Sequence, residues 1–315
     1  MDKLIEIKNL NLFFGENQAL YDVNLILKKG EMHALAGESG CGKTMTAMSI
    51  IRLFPKSAEI KSGEVIFKGE NLLYYKEKQM RELRGNKIAL IPQDPMTSLN
   101  PLYTVGNQLI EAIRVHTHVS HHQARRKAKE VLDLVKMPDI DKKLDFYPHE
   151  FSGGMKQRII ISMALATNAE LIIADEPTTA LDVTIQKQIM DLLDEIKKDF
   201  GTTILLISHD LALVSNYADS ISVMYSGHIV EEAFAEEFFK NPLHPYSKAL
   251  LNSLPTRNPA LKLKTIEGAP PSIHEVISGC KFHPRCEFCK NDICTVNTPK
   301  LEEKAENHYS ACLIR

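Results

Sequence analysis

The amino-acid sequence predicts an α/β protein. It reads as a mixed, largely parallel sheet core with an antiparallel β subdomain at its start, an inserted helical subdomain, and a small cysteine-rich C-terminal extension. Three observations carry this. Short apolar runs of strand length alternate with helical stretches, the pattern of a wound parallel sheet. The opening residues instead alternate apolar and polar positions, which suits strands with one solvated face. Beyond about Glu232 the strand pattern stops and prolines at 242, 245, 255, 259, 270 and 271 break the chain into short pieces.

Taken in order, Leu4-Ile5-Glu6-Ile7-Lys8 and the stretch Val23 to Lys28 predict the antiparallel strands. Met32-His33-Ala34-Leu35-Ala36 predicts a buried strand that runs into Gly37-Glu38-Ser39-Gly40-Cys41-Gly42-Lys43-Thr44, with a helix over Met45 to Leu53. Further core strands are expected at Ile88–Ile91, Leu171–Ala174, Thr203–Ile207 and Ile221–Tyr225. Between the first two of these lies a long helical block, about Thr104 to Thr167, including a polar helix over His121 to Lys136. The expected organisation is a domain over 1–235, its helical subdomain over about 96–168, and an extension over 236–315. No repeat of solenoid spacing and no low-complexity tract is present.

At 315 residues, with 44% hydrophobic and 25% charged content, the chain can bury a full core. Its 38 Lys and Arg against 40 Asp and Glu leave a net charge of -2, so no polycationic surface points to nucleic acid. No apolar run approaches the roughly 18 to 20 residues of a membrane-spanning helix, and the start is no secretory signal, so a cytosolic protein is expected. Cys41 stands alone, while Cys280, Cys286, Cys289, Cys294 and Cys312 crowd the tail. In a reducing compartment that pattern favours metal over disulfide.

Gly37 to Thr44 fits G-x-x-x-x-G-K-S/T. Glycines let backbone N–H groups turn inward around phosphate oxygens, and the following helix presents its positive N-terminal end. Lys43 is expected to hold the β- and γ-phosphates of a nucleotide, and Thr44 to offer its hydroxyl to Mg²⁺. Further on, an apolar strand ends in Asp175-Glu176. Asp175 is placed to bind Mg²⁺, directly or through water, and Glu176 to polarise the water that attacks the γ-phosphate. A strand ending in two acids is by itself an ordinary solvated turn, so the pair draws its weight from the phosphate loop.

Phe151-Ser152-Gly153-Gly154-Met155-Lys156-Gln157-Arg158, at the start of a helix running to about Ala166, resembles the signature sequence of ATP-binding cassette (ABC) proteins, usually Leu-Ser-Gly-Gly-Gln. In isolation it would read as a helix cap. The resemblance covers about Leu4 to Glu231 and implies a P-loop ABC ATPase. It implies that Ser152, Gly153 and Gly154 bind the γ-phosphate held by a second subunit's phosphate loop, so that ATP lies between two cassettes. It further implies that Gln93 senses Mg²⁺ and the attacking water, that Ala180-Leu181-Asp182 crosses the dimer interface, and that His209 contacts the γ-phosphate. Phe14 matches the aromatic on which adenine stacks, with Phe13 as the core-packing neighbour.

The tail narrows the branch. His244-Pro245-Tyr246, Gly268-Ala269-Pro270-Pro271 and the run Gly279 to Cys286 are similar to the extension on ATPase subunits of dipeptide and oligopeptide permeases. That branch implies a sister ATPase forming a heterodimer, two membrane permeases, an external substrate-binding lipoprotein, and a place on the cytoplasmic face of the membrane. Met155 stands where the signature has Gln, so the two ATP sites need not be equally active. An importer of nickel, a metallophore or another small solute shares these features, and a soluble cassette ATPase outside transport is the alternative of a different class. By the same resemblance Cys280, Cys286, Cys294 and Cys312 hold a structural [4Fe-4S] cluster; Cys286-x-x-Cys289 equally suits Zn²⁺, with Cys289 a bystander or a replacement ligand.

Overall fold

The structure is a computed structural model and describes residues 2–179, 181–254 and 265–314. It divides into two compact units, one of residues 1–74 with 207–315 and one of residues 75–206.

The first unit begins with β1 (Lys3–Phe14), β2 (Asn17–Lys28), β3 (Met32–Ala36), α1 (Lys43–Ile51), β4 (Ala58–Phe67) and β5 (Glu70–Asn71). The antiparallel sheet has the order β2-β1-β4-β5. Its register sets Ile7 opposite Leu25, Leu10 opposite Val23 and Leu12 opposite Leu20, so the alternating apolar residues meet on one buried face. Strand β4 is one that the alternation reading did not single out; Lys61 and Ser62 interrupt its pattern, and pairing with β1 decides it.

The second unit contains α2 (Glu77–Leu83), β6 (Ile88–Ile91), α3 (Pro95–Ser98), α4 (Val105–His116), α5 (His121–Leu134), α6 (Ile140–Lys143), α7 (Gly153–Leu165), β7 (Leu171–Asp175) and α8 (Val183–Phe200). Strands β6 and β7 are parallel, with Ile88 against Leu171 and Ile91 against Ala174. Helices α4, α5, α7 and α8 start on oxygen caps: Thr104, Ser120, Ser152 and Asp182 each accept a backbone N–H of the first turn. Ser120 forms a full capping box with Gln123, which starts the polar helix α5 despite its few apolar residues. In α8 the buried residues Ile189, Leu192, Leu193 and Ile196 form one stripe, and Gly201 ends the helix at φ +64°.

Strand β8 (Thr203–Ser208) carries the chain back into the first unit, followed by α9 (Leu211–Tyr217), β9 (Ser220–Tyr225), β10 (His228–Phe234), α10 (Ala235–Lys240), α11 (Pro245–Asn252), α12 (Asn291–Cys294), β11 (Glu302–Ala305) and β12 (His308–Ser310). Strands β3 and β9 are parallel, and every residue of both is buried, as expected of a strand covered on two faces. β9 pairs antiparallel with β10, β10 with β12, and β12 with β11. The strand pattern therefore does not stop near Glu232: two tail strands extend the sheet beyond β10. β11 is exposed and mostly charged and β12 is only three residues long, so alternation gave no sign of them, and pairing with β10 supplies the order.

Two buried features join the tail to the rest of this unit, and a third starts its first long helix. The carboxylate of Glu231, itself 0% exposed, accepts the N–H groups of Leu243 and His244 at 2.7 and 2.8 Å and lies 2.7 Å from His308 Nε2. Tyr225, Tyr246 and Phe282 stack edge to face or tilted with centroids 4.7 to 5.3 Å apart. His244 Nδ1 accepts the Tyr246 N–H and starts α11, and burial holds this imidazole neutral, down to about 3.

Candidate functional site

The first unit holds the phosphate loop. Gly37, Gly40 and Gly42 have φ of 149°, 78° and 110°, and α1 begins at Lys43, so the loop ends on a helix N-terminus as the motif requires. At Gly42 a side chain would also come within 2.9 Å of Leu20 Cδ2, so both conformation and space demand glycine. Lys43 is 5% exposed and its Nζ donates to the Gly37 and Glu38 carbonyls at 2.8 and 2.9 Å. Thr44 is exposed, while Cys41 is buried and burial raises its thiol. Ser39 is exposed in the turn of the loop. Phe14 ends β1 and is half-buried, and so is Phe13, which carries Lys61 Nζ over its ring at 4.2 Å. His209 follows β8 and is exposed; Asp210 beside it caps α9 through two backbone N–H groups.

The second unit holds the acids. Asp175 is the last residue of β7 and is buried. Glu176 next to it has φ +47°, a left-handed conformation uncommon for a residue with a side chain. Its carboxylate Oε2 accepts from Gln93 Nε2 and from Thr179 Oγ1, each at 3.0 Å. Gln93, which follows β6, and Glu176 are thus brought together. Thr179 was missed by sequence reasoning, because a Thr after Asp-Glu-Pro has no motif signal of its own.

The signature segment lies in the same unit. Ser152 Oγ caps α7 by accepting the Met155 N–H at 3.4 Å. A side chain on Gly154 would come within 2.6 Å of Ile185 Cγ2, and one on Gly153 within 3.4 Å of Leu181, so the glycines let α7 approach the start of α8. Asp182 caps α8 through the Ile185 N–H at 3.0 Å. Ala180 lies outside the described residues.

In the comparison with protein families, residues 20–179 match the ABC transporter family, a stretch that holds the phosphate loop, Gln93, the signature segment, Asp175 and Glu176 in that order. The chain belongs to the ABC transporter family. Residues 230–294 of this ABC ATPase match the C-terminal region of oligopeptide/dipeptide transporters. It is 49% identical over 99% of its length to a probable peptide ABC transporter ATP-binding protein of Sinorhizobium fredii, 95% of which is covered. It is 44% identical over 98% of its length to the oligopeptide transport ATP-binding protein OppD of Bacillus subtilis, 87% of which is covered. Among solved structures, a dimeric ATP-binding cassette in a post-hydrolysis state bound to ADP and Pi matches with a TM-score of 0.66 and 27% identity, over 74% of this chain and 99% of that one. No helix among the described residues is long and apolar enough to cross a membrane.

In the tail, Cys280, Cys286, Cys294 and Cys312 line one small cavity with His244 and Phe282, and Cys289 does not. Burial raises the thiol of Cys280, and that of Cys286 to about 11, with the neighbouring cysteines adding to both shifts. Among the described residues no group of three or more His, Cys, Asp or Glu is drawn together as a metal-holding set. Lining a cavity needs each thiol only to reach its wall, whereas ligation needs the sulfurs within about 2.3 Å of a common metal. The donor chemistry, four soft sulfurs around one space, suits iron or zinc.

Two side chains far along the ABC ATPase reach its phosphate loop. Tyr246 Oη accepts the Glu38 N–H at 2.9 Å, and the Arg285 guanidinium grips the Glu38 carboxylate at 2.7 and 3.0 Å. Both residues sit inside the His-Pro-Tyr and Cys-Lys-Phe-His-Pro-Arg-Cys segments that identified the branch, yet nothing in those segments says that they touch the loop.

Proposed function

We propose that this chain powers import of dipeptides or oligopeptides through a membrane ABC transporter by hydrolysing ATP. The observation that carries the peptide assignment is the joint match of residues 20–179 to ABC transporters and 230–294 to the C-terminal region of oligopeptide/dipeptide transporters. The names of the relatives support it, since they are peptide transport ATP-binding proteins.

In the proposed reaction the loop amides and Lys43 hold the β- and γ-phosphates, and adenine stacks on Phe14. Thr44, Asp175 and Gln93 would hold Mg²⁺, which when bound would offset the negative charge of the phosphates. Water attacks the γ-phosphorus, the bond to the β–γ bridging oxygen breaks, and Glu176 accepts the water proton while Gln93 and Thr179 fix its carboxylate. His209 contacts the transferred phosphoryl group. Ser152, Gly153 and Gly154 act on ATP held by a sister ATPase, and the segment at Asp182 crosses between them. Two membrane permeases and an external substrate-binding lipoprotein complete the assembly, with this chain on the cytoplasmic face. In the tail, Cys280, Cys286, Cys294 and Cys312 are the proposed ligands of a structural [4Fe-4S] cluster, with Zn²⁺ the rival occupant.

The test is reconstitution of the ATPase pair and permeases in proteoliposomes with a peptide-loaded binding protein. ATP-dependent uptake of peptide, lost in Lys43→Ala, supports the assignment; uptake of nickel or another solute and not peptide would redirect it within transport.

A further inference from the structure

The peptide unit of Glu38 is a junction between the phosphate loop and the C-terminal extension. Its carbonyl accepts Lys43 Nζ at 2.9 Å and the Cys41 N–H at 3.4 Å, so it shapes the loop from inside. Its N–H is committed outward, to the hydroxyl of Tyr246. Its carboxylate is held by both terminal nitrogens of Arg285. Backbone and side chain of one loop residue are thus both held by the extension.

Neither contact resembles a loose surface pair. The Arg285 side chain is 6% exposed and Glu38 25%. The guanidinium is held from other sides as well: Nε donates to the Glu267 carbonyl at 3.0 Å, one terminal nitrogen to the Gly268 carbonyl at 3.1 Å, and the other to Tyr225 Oη at 3.4 Å. An arginine locked in this way loses little further side-chain freedom on pairing, and a bidentate carboxylate contact fixes direction as well as distance. Tyr246 is fully buried with its ring packed on Tyr225 and Phe282. Its hydroxyl is a fixed acceptor set by the core of the extension.

We propose that Arg285 and Tyr246 are positioning residues for nucleotide binding: by holding Glu38 they keep the loop, and the Lys43 acceptors within it, in the shape that receives the phosphates. This rests on the reading of Gly37 to Thr44 as the phosphate loop. It makes the C-terminal extension part of the nucleotide site. Arg285 directly precedes Cys286, so whatever orders the cysteine segment also orders the clamp.

The experiment measures MgATP affinity of the purified full-length chain, the wild type against Arg285→Ala, Arg285→Lys and Tyr246→Phe, with hydrogen exchange of amides 38–42 on the same samples. Arg285→Ala removes a charge-assisted bidentate contact and is expected to weaken MgATP binding roughly tenfold or more. Arg285→Lys keeps the charge and loses the fork, and should fall between. Tyr246→Phe keeps the ring packing and removes one neutral acceptor, for a loss of roughly threefold. Exchange at the loop amides should rise in the same order. In the assembled transporter KM for ATP should rise in step while kcat at saturation stays within about twofold, because Glu176 and Gln93 are untouched; a purely structural role would lower thermal stability and leave the Kd and KM of the folded protein alone. Should Arg285→Ala fail to fold, Arg285→Lys and Tyr246→Phe decide. Folded variants that bind MgATP like the wild type, with unchanged loop exchange, overturn the inference. A wild-type chain that binds no MgATP overturns the phosphate-loop reading first.

Discussion

The side-chain amide of Gln93 donates to Oε2 of Glu176 at 3.0 Å, across 83 residues of sequence, and Thr179 Oγ1 donates to the same oxygen. Two donors on one oxygen fix the direction of the carboxylate.

Glu176→Gln removes the proton acceptor and leaves Lys43, Thr44 and Asp175 in place. Hydrolysis by the assembled transporter should fall by about 10² to 10⁴, with MgATP affinity near the wild-type value. Gln93→Ala frees the carboxylate without deleting it and should cost less. A Glu176→Gln transporter with normal kcat would remove Glu176 from the base role.

Because ATP in this family is proposed to lie between two cassettes, the purified chain alone should hydrolyse ATP slowly, with specific activity rising with protein concentration. Adding the sister ATPase and permeases should raise the rate. A fast rate independent of concentration would rule out the shared site.

The cavity lined by Cys280, Cys286, Cys294 and Cys312 is tested by analysis of anaerobically purified protein. Brown protein with about four iron and four sulfide per chain is the expected result for a [4Fe-4S] cluster. One tightly held zinc in colourless protein would keep the site and change its occupant, and Cys289→Ser should leave either metal in place.

Glu231 accepts two backbone N–H groups and contacts His308 in a fully buried position. Glu231→Ala strands those groups and should destabilise the unit by about 3 to 5 kcal/mol, read as a lower denaturant midpoint. Cleavage within the tail by a protease should accelerate first, since the carboxylate joins β10 to α11 and β12. A variant as stable and as protease-resistant as the wild type would show that the tail docks without it.

Glu232 accepts the Ser222 hydroxyl at 3.1 Å, and burial raises its carboxyl from 4.5 to about 7. The folded state therefore keeps a proton that the unfolded chain loses above about pH 4.5. The stabilisation is complete below that value and is lost as the pH rises through about 7. Glu232→Gln cannot ionise and should match the wild type near pH 4, yet exceed it at about pH 8 by no more than roughly 3 kcal/mol. Equal stability differences at the two pH values, measured by denaturant unfolding, would mean that this carboxyl ionises freely.

What the sequence by itself determined is what local pattern and contiguous motif can encode. The alternation in β1 and β2, the apolar β3, β7 and β9, and the run from Gly37 to Thr44 each express their structure within a few residues, because pleat, helix period and glycine conformation are short-range properties. The carboxylate pair at 175 and 176 was visible for the same reason. Only the tertiary structure decided what pairs with what. The strands β11 and β12 exist because β10 offers them an edge, and their own residues give no strand signal. Arg285 meets Glu38 across 247 positions, and Tyr246 meets the same residue across 208. A salt bridge or a buried hydroxyl acceptor has no sequence period, so its partner is set only when packing brings two distant segments together. The nucleotide motif could therefore be read from the chain, while its attachment to the C-terminal extension could not.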